Sequence, residues 1–299
     1  MPDAQAQPEV QPQKKQAEYG RPNSIEELSN QYVVHPISAV IAKIAIKMSV
    51  SANIISFIGL GAGWLAAYFY YQQPALGFVL AGFLSMLAWH VFDGADGRVA
   101  RATGTSSAFG RIIDGICDHL VFGAVYIAFV LYLLKTGSSP MVWLLALAAG
   151  ASHAVQAAGY EERRQKYQRR TRGIERSDVT DKLLSVDGKK STLAGIYDAA
   201  QRLVSGGASP LDAKLKQMRD DNASFGDVQT LINKTSGIVR AWALLNANNR
   251  TIAIAIFAGL GLPAMYFVYE IVLLNIVLIG LIIYERKVEA TIAASPSGN

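Results

Sequence analysis

The chain has a single cysteine, Cys117, in 299 residues, so an intrachain disulfide is excluded. It has no HExxH pair, no Walker phosphate loop, no Cys-rich ligand set and no Ser-His-Asp order, and a covalent enzyme intermediate has no support. No module of interleaved aromatic and basic residues occurs, which argues against nucleic acid as a partner despite the net charge of +5. No apolar core follows within the first thirty residues, so no secretory signal is expected. Charge itself is sparse and uneven: long runs carry none, while others are dense in Lys and Arg. That distribution predicts an all-α, polytopic membrane protein.

Six spans are expected, at about 53–71, 75–92, 112–134, 141–158, 251–269 and 271–284. The last two are short, and Gly261-Leu-Pro263 falls inside the fifth. The domain map that follows has a disordered tail over 1–23, an interfacial amphipathic helix over 24–50, spans one to four over 51–160, and a cytoplasmic polar insert over 161–249. Spans five and six then occupy 250–288, with a second disordered tail over 289–299. Ser24-Ile-Glu-Glu27 has the form of a capping box. Beyond it, Ile37, Val40, Ile41, Ile44 and Met48 recur at helical spacing while Lys43 and Lys47 share another face. An interfacial helix fits this better than an extension of the first span, because two lysines in hydrocarbon are costly. Inside the insert, a basic run from Arg163 to Arg172 precedes helical patterns at 191–204 and 212–218.

The turn at 72–74 is uncharged, the stretch 136–139 has only Lys135 beside it, and the turn expected between spans five and six carries Glu270 alone. Arg98, Arg101, Arg111, the run 163–172 and Arg286-Lys287 fall on the opposite side. The positive-inside rule then puts both termini in the cytoplasm, in a bacterial-type cell membrane.

On that same side lie four acids. Asp93 and Asp96 are three apart, and Asp114 and Asp118 four apart, so each pair shares a helix face. A loop of about a dozen residues is expected to join them where two spans meet water. Clustered carboxylates repel unless neutralised, and one or two hard divalent cations such as Mg²⁺ or Mn²⁺ would do this with oxygen ligands. Cys117, between two of the acids, is read as a packing residue, as are His90, His119 and His153.

Written out, the stretch is D-x2-D-G-x2-A-R-x8-G-x3-D-x3-D, occupied by Asp93, Asp96, Gly97, Ala100, Arg101, Gly110, Asp114 and Asp118. It resembles the signature of the CDP-alcohol phosphotransferase family, integral-membrane enzymes of phospholipid synthesis. The resemblance implies two divalent cations (Mg²⁺ or Mn²⁺), with Asp93, Asp96 and Asp114 chiefly as metal ligands. It also implies Asp118 as general base, in contact with the second metal, and a homodimer. On that reading Gly97, Ala100 and Gly110 make room for a nucleotide diphosphate, although small residues equally serve helix packing. Arg101 offsets diphosphate charge, and Ser107 is either a donor to cytidine or a plain loop serine. The implied partners are a CDP-linked lipid, most simply CDP-diacylglycerol, and an alcohol acceptor in the membrane, with CMP released. A phosphorylated polyol such as glycerol 3-phosphate would need added cations, from Arg111 or the run 163–172, unless those residues only obey positive-inside.

Three alternatives remain. One is a soluble CDP-alcohol as donor to a lipid hydroxyl. Intramembrane prenyltransferases also use two Asp-rich motifs, but would not be expected to carry Gly97-x-x-Ala100-Arg101 and need more spans. A cation-coupled transporter would hold its ion near mid-membrane on broken helices, whereas these acids lie at a helix end.

Overall fold

We describe residues 23–106, 108–173 and 209–295 of the computed structural model, with backbone alone for 23 and 108–116. The expected N-terminal tail, the helical pattern at 191–204 and Ser107 lie outside these residues. In chain order the helices are α1 (His35–Lys47), α2 (Ala52–Tyr71), α3 (Leu76–Ala102), α4 (Ala108–Lys135), α5 (Val142–Arg172), α6 (Pro210–Asp220), α7 (Phe225–Asn233), α8 (Ser236–Trp242), α9 (Ala247–Gly259), α10 (Pro263–Val268) and α11 (Leu274–Ala294). The last two are joined through a π-helical turn, Tyr269–Leu273. Among the described residues five helical runs are long and apolar enough to cross a bilayer: Ala52–Tyr71, Leu76–Ala102, Cys117–Lys135, Val142–Arg172 and Pro263–Ala294. Their outward faces carry Phe57, Leu84, Leu147 and Ile276, apolar side chains that water would not tolerate in such number. The chain is an integral membrane protein.

Small residues set the spacing of the first bundle. Along α2 the buried stripe is Ile55, Gly59, Gly63, Ala66 and Tyr70. A Cβ at Gly59 would stand 3.1 Å from Phe92 Cβ on α3, and one at Gly63 would collide with Val121 on α4. Backbone therefore meets side chain directly, the packing that membrane helices use where no hydrophobic force separates lipid from protein. On α1 the buried face is also small, with Ser38, Ala42 and Ala45 set against Ala95 and Val99 of α3. Its larger residues Ile37, Val40 and Ile44 stay exposed, as does Met48 just beyond its end.

The capping box does not form. Residues 23–25 make a single 3-10 turn, Ser24 Oγ meets the Tyr167 hydroxyl at 3.0 Å, and Glu27 accepts from Tyr160, Asn246 and Asn248. Tertiary partners on α5 and before α9 outbid the local cap, tying the segment ahead of α1 across the bundle.

The C-terminal spans differ from expectation. Gly261, with φ +68°, and Pro263 at the first turn of α10 do not kink a span but separate α9 from the run Pro263–Ala294. No turn occurs at 269–271, because the helix continues through the π-helical residues. Glu270 is fully buried rather than in a turn, with Arg250 Nε donating to it at 2.9 Å. The Tyr266 hydroxyl donates to its other oxygen at 2.9 Å, and Arg250 also donates to Gln156 at 2.6 Å and to the Leu245 carbonyl. With 13 residues α9 is only about 20 Å long. It still reaches from His90, whose Nε2 lies 2.9 Å from Thr251 Oγ1, to the turn at Pro74, where a Cβ on Gly261 would pack at 3.5 Å.

Helix α5 likewise passes its expected end and runs to Arg172, stopped by left-handed Gly173. At about 46 Å it overshoots the hydrocarbon layer, so the basic run is helix rather than the start of an insert. Its cations meet acids of α11: Arg163 pairs with Glu285 at 2.8 Å, Lys166 with Glu289 at 2.9 Å, and Arg170 with Glu289 at 2.7 Å. Arg170 also reaches Asp212 of α6 at 2.7 Å. Glu289 is thus buried in a helix that extends to Ala294, and the tail expected from 289 is helical to that point.

Arg250→Met would leave the Glu270 carboxylate buried without its guanidinium, at a cost of about 3–5 kcal/mol. The expected result is a lowered unfolding midpoint in detergent, largely recovered in the double variant with Glu270→Leu; an unchanged midpoint in the single variant would contradict this role.

Candidate active site

Asp93 and Asp96 stand on α3, and Asp114 and Asp118 on α4, but the connection is shorter than the expected dozen residues. Both helices extend toward it, leaving only 103–107 between them. The level of each acid follows from one aromatic contact. Trp89 on α3 and Phe122 on α4 meet edge to face with centroids 5.4 Å apart. One turn from that contact toward the connection, the antiparallel helices bring up Asp93 on one side and Asp118 on the other. A further turn brings up Asp96 and the position of Asp114. The two pairs thus stand in facing register at one end of the bundle.

Helix α2 forms the third wall. It lies antiparallel to α3 with Gly59 at Phe92, and along the same stripe Ser56 reaches Asp96, donating its hydroxyl to Oδ2. Ser56 was not a candidate from sequence: one hydroxyl in an apolar helix has no spacing to mark it. Asp96 is buried at 6 % exposure, while Asp93 and Asp118 are half-buried.

The small residues between and beside the acids serve distinct purposes. Gly94 lies under α1, where a Cβ would stand 3.2 Å from Ser38 Oγ, and Ala95 is wholly buried in the same contact. Gly97 lies under the Arg101 guanidinium, whose Nη1 would be 3.2 Å from a Cβ there. Helix packing therefore explains Gly94 and Ala95, whereas Gly97 opens room that the mobile end of an exposed arginine occupies. Ala100 is half-buried on the same helix, and Gly110 lies in the first turns of α4.

The histidines have structural partners. His153 Nδ1 is 3.0 Å from the Tyr126 hydroxyl and its ring packs on Phe122 at 4.5 Å, while the His119 ring lies 6.0 Å from it. Read from that His153 contact, α5 brings Arg164 close to the level of Arg111, and carries Arg170 about two turns farther out. Arg164 is paired with Glu161 at 3.0 Å, and Arg163 stacks on Trp242 at 4.1 Å. Three of the six cations in the run, Arg163, Lys166 and Arg170, therefore hold α5 on α11, while Arg164 and Arg169 pair within α5.

The donor set suits a hard divalent ion: carboxylates alone, on two facing helices, with one oxygen of Asp96 already oriented by a hydroxyl. Among the described residues no three Asp, Glu, His or Cys side chains form a complete ion site, and the side chain of Asp114 is not among them. The constellation is thus built of Asp93, Asp96 and Asp118 together with the α4 position of Asp114, one turn before Asp118.

Residues 49–180, which hold the whole constellation, match the family model described as CDP-alcohol phosphatidyltransferase. The chain is similar to the phosphatidylinositol phosphate synthase of Corynebacterium glutamicum, 27 % identical over 198 residues that make up 60 % of this chain and 87 % of that protein. It is also similar to the CDP-diacylglycerol–serine O-phosphatidyltransferase of Mycobacterium leprae, 31 % identical over 104 residues, covering 34 % of this chain and 33 % of the relative. Residues 49–180 thus carry a CDP-alcohol phosphatidyltransferase domain, and the two relatives named are transferases of substituted phosphate groups.

Proposed function

We propose that the protein transfers the phosphatidyl group of CDP-diacylglycerol to the hydroxyl of a phosphorylated polyol and releases CMP. The facing register of Asp93/Asp118 and Asp96/Asp114 on α3 and α4 carries this reading, since four carboxylates at one bundle end call for cations and a phosphate substrate. Asp93, Asp96, Asp114 and Asp118 would hold two divalent cations, Mg²⁺ or Mn²⁺. When bound, such ions neutralise phosphate charge and favour in-line displacement at phosphorus.

Asp118 takes the proton of the acceptor hydroxyl as its oxygen bonds to the phosphatidyl phosphorus. The bond from that phosphorus to the bridging oxygen breaks, and CMP leaves with the electron pair. Arg101, over Gly97, offsets diphosphate charge, and Gly97 and Ala100 admit the nucleotide close to α3. Gly110 lies in the first turns of α4 at the same end, and Ser107 is the proposed donor to cytidine. A phosphorylated acceptor accords with the relative named for phosphatidylinositol phosphate, which the chain matches over most of that protein's length. Arg111 is the cation of choice for the acceptor phosphate, since the outer part of the basic run is engaged elsewhere.

In this reading α9 returns the chain across the bilayer as a short sixth crossing. Both termini and the acids then face the cytoplasm, where CMP is released, and the homodimer is the working form. A soluble CDP-alcohol as donor is the second reading, favoured by nothing specific in the site.

Purified protein given CDP-diacylglycerol and a panel of alcohols, with lipid products read by mass, tests the acceptor directly. Reaction with inositol phosphate or glycerol 3-phosphate is expected; reaction only with unphosphorylated alcohols would contradict the reading. Turnover is expected to vanish in excess chelator and return with Mg²⁺ or Mn²⁺, so undiminished turnover would remove the cations. Asp118→Asn should lower CMP release by about 10²–10⁴-fold while CDP-lipid binding survives; joint loss of both would count against its role as base. Arg111→Ala should raise the acceptor KM about tenfold or more, whereas Arg170→Ala should lower the unfolding midpoint and leave that KM unchanged. The reverse pattern would move the acceptor site to the outer end of α5.

A further inference from the structure

We propose that Ser56 is a positioning residue for Asp96, fixing which carboxylate oxygen is presented to a divalent cation and thereby setting the affinity of the site. The inference rests on the cation reading above and goes beyond the motif, which lies wholly on α3 and α4 while Ser56 belongs to α2.

Three observations combine. Asp96 is the most buried of the three acids whose side chains are described, at 6 % exposure, so its orientation is set by protein neighbours more than by water. The Ser56 hydroxyl donates to its Oδ2. The same hydroxyl lies 3.2 Å from the Ala52 carbonyl, but it has one proton, and a carboxylate is the stronger acceptor. Finally, Ser56 cannot drift. One turn away Gly59 is seated against Phe92, and a turn beyond that Gly63 is seated against Val121, so α2 is clamped to both acid-bearing helices.

A hydroxyl bound to one oxygen removes a rotational freedom of the carboxylate and so fixes the plane in which both oxygens lie. Such outer partners tune metal sites because an ion binds best to ligands already in place, and losing one typically costs about 10–100-fold in affinity. Threonine can repeat the contact from the same backbone position. Valine matches the shape of threonine but has no proton to donate, so the Thr/Val pair separates the hydroxyl from the volume it occupies.

The test is a Mn²⁺ titration of the full-length protein in detergent without substrate, read as the rise in unfolding midpoint. Ser56→Ala and Ser56→Val should need about tenfold or more Mn²⁺ for half the rise, Ser56→Thr should follow the unaltered protein, and Asp96→Asn should lose the response. If Ser56→Val titrates like the unaltered protein while Asp96→Asn does not respond, the Ser56 assignment is wrong and the cation site stands. If Asp96→Asn responds normally, both fail together. A Ser56→Ala protein with lowered midpoint at every Mn²⁺ concentration, but the same half-point, would show a purely structural serine and overturn the proposal.

Discussion

Close backbone approach of α2 to α3 and α4 is the constraint on which the rest depends. Gly59 and Gly63 give α2 no side chain where Phe92 and Val121 press against it, and any larger residue would push the three helices apart. The separation of these helices sets the separation of the acids, since Asp93, Asp96 and Asp118 lie within a turn or two of those contacts. Site geometry here is therefore a consequence of helix packing, and the most telling residues for it are ones with no chemistry of their own. Ser38 on Gly94 extends the same principle to α1, which closes the outer face of the acid-bearing end of α3.

The chain handles buried charge by pairing it across elements distant in sequence. Glu270 is met by Arg250, Glu285 by Arg163 and Lys166, and Glu289 by Lys166, Arg170 and Ser209. Removing one member of such a pair costs more than the pair contributes, so each fixes a register between helices rather than adding much net stability. This gives the part of the chain beyond α5 its purpose in the fold. The segment ahead of α1, through Ser24 and Glu27, and α6, through Asp212, are attached to the same projecting end of α5.

Much of this was legible in the sequence, and the failures share a cause. The facing of the acid-bearing helices could be read because residues three or four apart on a helix share a face, and the first four spans because hydropathy is a local property. Glu270 reads as a turn residue in the sequence because its partner, Arg250, lies across the Gly261–Pro263 break, where no local pattern shows it. The basic run looked like the beginning of a polar insert for the same reason: its neutralising acids are on α11. Ser24 and Glu27 had the right spacing for a cap but are engaged by Tyr167, Tyr160 and Asn246. Ser56 carried no signal, since its meaning depends on Asp96 facing it from another helix. Pairwise tertiary contacts are what a single sequence does not display.

The central claim is that carboxylates from two neighbouring helices share cations at one end of the bundle. Anomalous scattering from crystals grown with Mn²⁺ and a CDP-lipid tests it most directly. The account predicts two peaks about 3.5–4 Å apart between α3 and α4, within ligand distance of Asp93, Asp96, Asp114 and Asp118. Manganese bound elsewhere, or these four side chains turned to faces that share no ion, would contradict it.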